Sequence, residues 1–275
     1  MDATDLRNLE AAVDNLESPT WTARLTDFVG MPIEWAVARL PAKAYQMVSS
    51  ATSSAVQKAL GAAVSTMDRR RRGSPQRWLH LGAAAASGGV GGFFGLPGLA
   101  VELPISTVVM LRSIADVARS KGEDLGTVDA QLACVQVFGL GGRSGRDDGA
   151  ETGYYAVRIG LARAISEAAE LIARRGMVEQ GAPVIVRLVS AIAARFNVVV
   201  TEKVAAQALP VVGAACGAAV NLAFVSNFQR VAEGHFVVRR LERRWGFDAV
   251  HAAYEAIAAR KGYRGPRVQV LPSGD

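Results

Sequence analysis

Six polar side chains, Glu102, Arg112, Asp116, Asn221, His235 and Arg239, are the residues of this 275-residue chain whose types and spacing can do chemistry. Two arginines can hold an anionic headgroup or a carboxylate through charge-assisted, bidentate hydrogen bonds. A histidine beside them can respond to protonation near neutral pH. Carboxylates at Glu102 and Asp116 with His235 would supply the parts of general acid–base catalysis on a lipid or small amphiphile, provided they converge in one pocket. On a helical projection Glu102, Arg112 and Asp116 share one side, with Arg112 and Asp116 at i,i+4 pairing distance. Asn221, His235 and Arg239 share a side of a second helix. If the two helices pack together, their polar faces meet in a water-poor seam where pairing must offset desolvation. The plainer alternative makes Arg112 and Asp116 a surface pair worth a few tenths of a kcal/mol, His235 a buried polar contact and Asn221 a backbone partner. A surface for a protein partner is a third reading, and all three stay open on the residues alone.

Other templates for catalysis fail, and no catalytic residue, metal or cofactor is assigned. His80, His235 and His251 include no i,i+4 pair of the kind that binds zinc on a helix. The GGRSG run at 141–145 lacks the G-x-S-x-G nucleophile spacing. Phe94 stands where a G-x-G-x-x-G run beginning at Gly89 needs its last glycine, and no phosphate-binding Gly-Lys-Ser/Thr is present.

The elements that must position these residues read as all-α. Half of the chain is hydrophobic but only 7% is aromatic, so alanine and glycine carry much of the apolar character, and period-two runs of β-branched residues are scarce. Residues 78–101 and 204–229 contain no Asp, Glu, Lys or Arg, and each is longer than the ~20 residues that span a bilayer. Glycines at 88, 89, 91, 92, 95 and 98, with Pro97, predict a helix, a glycine-rich turn and a second helix. That second helix begins at Pro97 or at Pro104. The second run, with Pro210 and GAACG at 213–217, predicts a matching hairpin. The stretches 88–124 and 204–244 are therefore expected to form two Gly/Ala-rich hairpins within a bundle of eight to eleven helices. Residues 1–75 read as an amphipathic helical extension, 76–262 as the core and 263–275 as a disordered tail.

The formal net charge is +6, concentrated in Arg69, Arg70, Arg71 and Arg72, in Arg239–Arg240 and Arg243–Arg244, and in the C-terminal tail. Such clusters fit anionic lipid headgroups or complement helix C-termini. The arginine run is short and no nucleic-acid module accompanies it, so nucleic acid is not an expected partner. Cys134 and Cys216 lie in apolar contexts, as reduced core thiols of a cytoplasmic protein do. Asp2, Asp5 and Glu10 open the chain where a secretory signal would be basic and then apolar.

GLPGLAVELPISTVVMLRSIA at 95–115, followed by GEDL at 122–125, resembles the central signature of the EcsC family. PVVGAACGAAVN at 210–221 and VAEGHFVVRRLE at 231–242 resemble its C-terminal signature, and VFGLGG at 137–142 fits between them. The resemblance covers about residues 78–255. It implies a bacterial protein related to one encoded beside an ATP-driven ABC transporter, and it brings no catalytic residues. Residues and resemblance together give the expectation of a non-enzymatic accessory or lipid-interacting protein at the inner face of the cell membrane. Its partner would be membrane lipid or a membrane protein such as a transporter subunit.

Overall fold

The computed structural model describes residues 1–18, 32–67, 77–142, 153–176, 178–208 and 214–263 with isolated positions between 19 and 31, and the backbone alone over 77–97 and 214–218. Among the described residues all regular structure is helical. The helices are α1 (Ala3–Glu17), α2 (Ile33–Val37), α3 (Ala42–Thr66), α4 (Arg77–Ser120), α5 (Val128–Leu140), α6 (Tyr154–Arg175), α7 (Pro183–Gln207), α8 (Ala214–Trp245) and α9 (Phe247–Arg260).

Local chemistry sets the boundaries. Asp2 caps α1 by accepting from the Asp5 N–H at 2.8 Å, and Thr127 caps α5 by accepting from the Ala130 N–H at 3.3 Å, each satisfying a backbone donor that the first turn leaves open. Pro183 begins α7 at a position where its missing N–H costs nothing. After α4, Gly122 takes φ 87°. The N–H groups of Gly122 and Glu123 then return to the carbonyls of Arg119 and Ala118, a Schellman closure that a side chain with Cβ would strain. This turn aims Glu123 back at α8.

The helices share one apolar core that runs from Leu9 and Val13 of α1 to Tyr254 and Ile257 of α9, so the first helix is built into the bundle. α3 buries an alanine stripe, Ala51, Ala55, Ala59 and Ala63, along one face. α5 is buried over its last eleven residues, from Ala130 to Leu140, the position of a helix that is apolar all round. Around it the few aromatic residues gather: the rings of Phe138, Phe196, Phe224 and Phe228 stand 5.1–6.1 Å apart. Their tilted and edge-on contacts add to area burial.

One expectation is corrected. The backbone from Arg77 to Ser120 is a single helix, without a turn at the glycines and without a fresh start at Pro97 or Pro104. Glycine in a helix costs only about 0.5–1 kcal/mol relative to alanine. A turn inside an apolar run would leave several backbone groups without partners, and the helix satisfies them internally. The second run does break: α7 ends at Gln207 and α8 begins at Ala214.

α4 and α8 lie side by side and parallel. Gln229 donates to the Ser113 hydroxyl at 2.6 Å and Arg239 donates to Glu123 at 3.0 Å, so partners advance together along both helices with a constant offset. α1 runs antiparallel on α8, with Arg230 donating to Asn15 at 3.3 Å and Trp245 to Asp5 at 2.8 Å. Gly234 permits that approach, since a Cβ there would lie 2.6 Å from Leu16 Cγ and 3.0 Å from the Ala12 carbonyl oxygen.

Candidate functional site

The two helices that carry the six singled-out residues do touch, but the six do not gather in one pocket. Glu102 and Asp116 are fourteen positions apart on α4, about 21 Å along the axis, as are Asn221 and His235 on α8. Through the parallel register, His235 is level with Arg119, about 25 Å from Glu102. An acid–base site built from Glu102, Asp116 and His235 is therefore not assembled.

Each residue has its own surroundings. Arg112 is exposed. Asp116 accepts from Arg119 at 2.8 Å, an i,i+3 pair in place of the expected i,i+4 one. Asn221 is buried. Arg239 is held by carboxylates, donating to both oxygens of Glu123 at 3.0 and 3.4 Å and to Asp129 at 2.7 Å, and Arg243 also pairs with Glu123. Arg69, Arg70, Arg71 and Arg72 lie outside the described residues.

His235 is fully buried, its Nδ1 2.8 Å from the Tyr154 hydroxyl. Burial and then the charges of Arg158 and Arg239 hold its pKa well below the ordinary imidazole value, so the ring is neutral and cannot serve as a proton-responsive group near pH 7. It belongs to a polar network that the sequence reading missed. Arg158 donates to the Tyr154 hydroxyl at 3.2 Å and grips Glu242 with two bonds of 2.7 and 2.6 Å. Tyr155 donates to Glu242 at 2.9 Å. Glu17 accepts from the Tyr154 backbone N–H at 3.0 Å and from the Tyr254 hydroxyl at 2.7 Å. One network thus ties α1, α6, α8 and α9 together. Burial pushes the Tyr154 and Tyr155 hydroxyls far above the usual phenol range, so they remain donors. The available signal was Tyr154 with Arg158, one helical turn apart on the face that also buries Val157 and Leu161.

A second missed residue is Lys203. Its side chain is fully buried, with Nζ 3.5 Å from Glu102 and 4.8 Å from the centre of the Phe224 ring. Glu102 closes the first uncharged run and Lys203 opens the second, so the two border charges meet across α4 and α7. The Cys134 thiol is buried and its pKa is raised by that burial, which makes it inert. Among the described residues, no group of three or more His, Cys, Asp or Glu is placed to hold a metal ion.

Helix segments Gly98–Ser120 and Pro183–Gln207 are long and apolar enough to cross a membrane by length and composition, with 56% and 44% of their apolar windows buried within the protein. The described residues thus form an all-helical bundle with a polar network buried among α1, α6, α8 and α9. The model of the EcsC protein family matches residues 4–241, and the chain belongs to that family. The match begins inside α1, in keeping with that helix's place in the core. No curated protein and no solved structure matches the chain.

Proposed function

We propose that this protein is a non-enzymatic, membrane-associated accessory protein that contacts phospholipid through the exposed stripe of α4 where its first uncharged run ends. It works there beside a membrane protein such as a transporter subunit. The observation that carries the reading is the exposed stripe of α4. Val101 and Ile105, on successive turns, are 66% and 58% exposed, and exposed Arg112 follows about 10 Å further along. Leu222 of α8 is 41% exposed, and the parallel register of α4 and α8 brings it level with Ile105. Large apolar side chains placed together on a surface gain free energy when covered, at roughly 25 cal/mol per Å², and a bilayer edge is the cover that matches an apolar stripe ending in a cation. The two long apolar helix segments point the same way.

Vesicle flotation tests this. The protein should rise with anionic vesicles in low and moderate salt and rise less with neutral ones. Recovery entirely in the dense fraction with both compositions defeats the proposal.

A further inference from the structure

α9 is joined to α8 by a single residue. Gly246 takes φ 84°, with nothing within 4 Å of where a Cβ would stand, so the backbone turns there at little steric cost. The family match ends at residue 241, before this turn. α9 buries Val250, Tyr254, Ile257 and Ala258, a row at helical spacing that makes one apolar face. That face rests on two tyrosines of α6. The Tyr254 ring stands 5.6 Å from Tyr154 and 5.0 Å from Tyr155, and the His251 ring 4.4 Å from Tyr155. The Tyr254 hydroxyl donates to Glu17. The bonds beneath are made without α9: Tyr154 meets His235 and Arg158, and both Arg158 and Tyr155 meet Glu242. Those groups keep their partners when α9 is lifted.

The far end of α9 is held by charge. Arg260 pairs with Glu10 at 2.9 Å, and Lys261 pairs with Glu10 at 3.3 Å and with Asp14 at 2.8 Å. These side chains are 24–66% exposed, so water and salt compete for every pair. Two carboxylates of α1 thus occupy the cations that lipid phosphates would otherwise hold. No Asp or Glu stands between residues 256 and 274, where the sequence has four cations. An apolar face that ends in cations suits a helix lying in a bilayer interface. There the face exchanges one apolar cover for another, and what release uncovers is the pair of tyrosine rings, whose hydroxyls stay bonded.

We infer that α9 is a releasable strap, closed on α1 and α6 in solution, that turns out about Gly246 to lie on an anionic phospholipid bilayer. Arg260 and Lys261 then leave Glu10 and Asp14 for lipid phosphates. The α1 carboxylates therefore oppose lipid binding, although they need not touch the membrane. The inference rests on the membrane association proposed above and adds a second contact to the stripe of α4.

Two spin labels on the full chain test it, at Ala11→Cys in α1 and Ala256→Cys in α9, in a Cys134→Ala, Cys216→Ala background checked for native helicity. Both positions are exposed, and the contact of Arg260 with Glu10 keeps them near each other in the closed form. Pulsed electron resonance should give one short distance in solution and with vesicles of phosphatidylcholine. Vesicles that also contain phosphatidylglycerol should lengthen it. A long distance in solution, or a short one in vesicle-bound protein, overturns the strap and leaves membrane association standing. Protein that floats with neither composition overturns both. Glu10→Gln/Asp14→Asn in the unlabelled chain gives a second reading. Loss of the two α1 carboxylates should lower the anionic lipid needed for half-binding several-fold relative to Glu170→Gln/Glu179→Gln, which makes the same change in net charge at two other exposed positions. Equal binding by these two variants contradicts the inference.

Discussion

Replacing Arg158 with methionine puts the greatest stress on the network joining α1, α6, α8 and α9. The substitution keeps much of the apolar stem but removes both bonds to Glu242, at 2.7 and 2.6 Å, and leaves that carboxylate with the Tyr155 hydroxyl at 2.9 Å. The two side chains are only 17% and 10% exposed, so water re-solvates the orphaned charge poorly. Breaking a buried pair costs about 3–5 kcal/mol. The residual exposure places this case near the lower end, about 3 kcal/mol, or a fall of roughly 6–12 °C in Tm at 2–4 °C per kcal/mol for a domain of this size. Glu242→Leu should cost a similar amount, because it strands the guanidinium. The double variant Arg158→Met/Glu242→Leu removes both charges and should lose about 1 kcal/mol or less, since apolar replacements of a whole buried pair are often neutral. Urea and thermal unfolding followed by helical circular dichroism would measure all three. Single variants that melt within about 2 °C of the parent, or a double variant as damaged as the sum of the singles, would refute this account of the network.

Gly234→Ala should destabilise by about 1–3 kcal/mol because its methyl would press α1 off α8, whereas Gly160→Ala, with nothing within 4 Å of the new Cβ, should gain about 0.5–1 kcal/mol; urea midpoints would check the contrast. Because His235 is held neutral in the fold, the unfolded chain binds a proton that the native chain refuses, so stability should fall as pH drops below about 6.5. A pH series of unfolding free energies should show this slope in the parent and a reduced one in His235→Gln. Lys203→Met should lower stability by about 3 kcal/mol or somewhat less, because it leaves the Glu102 carboxylate, 14% exposed, without its ammonium, while Lys203→Met/Glu102→Leu, which removes both charges, should lose about 1 kcal/mol or less; a melting series on both would decide.

The helical architecture was legible because its determinants are local. Alanine stripes at i,i+4 give the buried face of α3, and Asp2, Thr127 and Pro183 mark helix starts by their own side chains. The contact between α4 and α8 was also legible, since both stretches carry the same change from an uncharged run to a charged helix. Positions along the helix axis were not. A helical projection collapses the axis, so Glu102 and Asp116 looked like neighbours although about 21 Å separates them. Partners from distant segments were equally hidden. Nothing local in Glu17 announces that it accepts from Tyr154 and Tyr254, and nothing local in Lys203, near the end of α7, announces its burial against Glu102 and Phe224. The glycine run misled for an energetic reason: glycines are cheap enough to keep in a helix when the alternative is an unpaired backbone in an apolar setting.

Fractionation of cells that make the full chain separates membrane-bound from soluble protein. Membranes are washed first with high salt and then with alkaline carbonate, and the protein is followed through each wash. The proposed contact of exposed apolar side chains with lipid predicts that the chain sediments with membranes and that salt alone leaves part of it there. Recovery of the chain in the soluble fraction before any wash would contradict it.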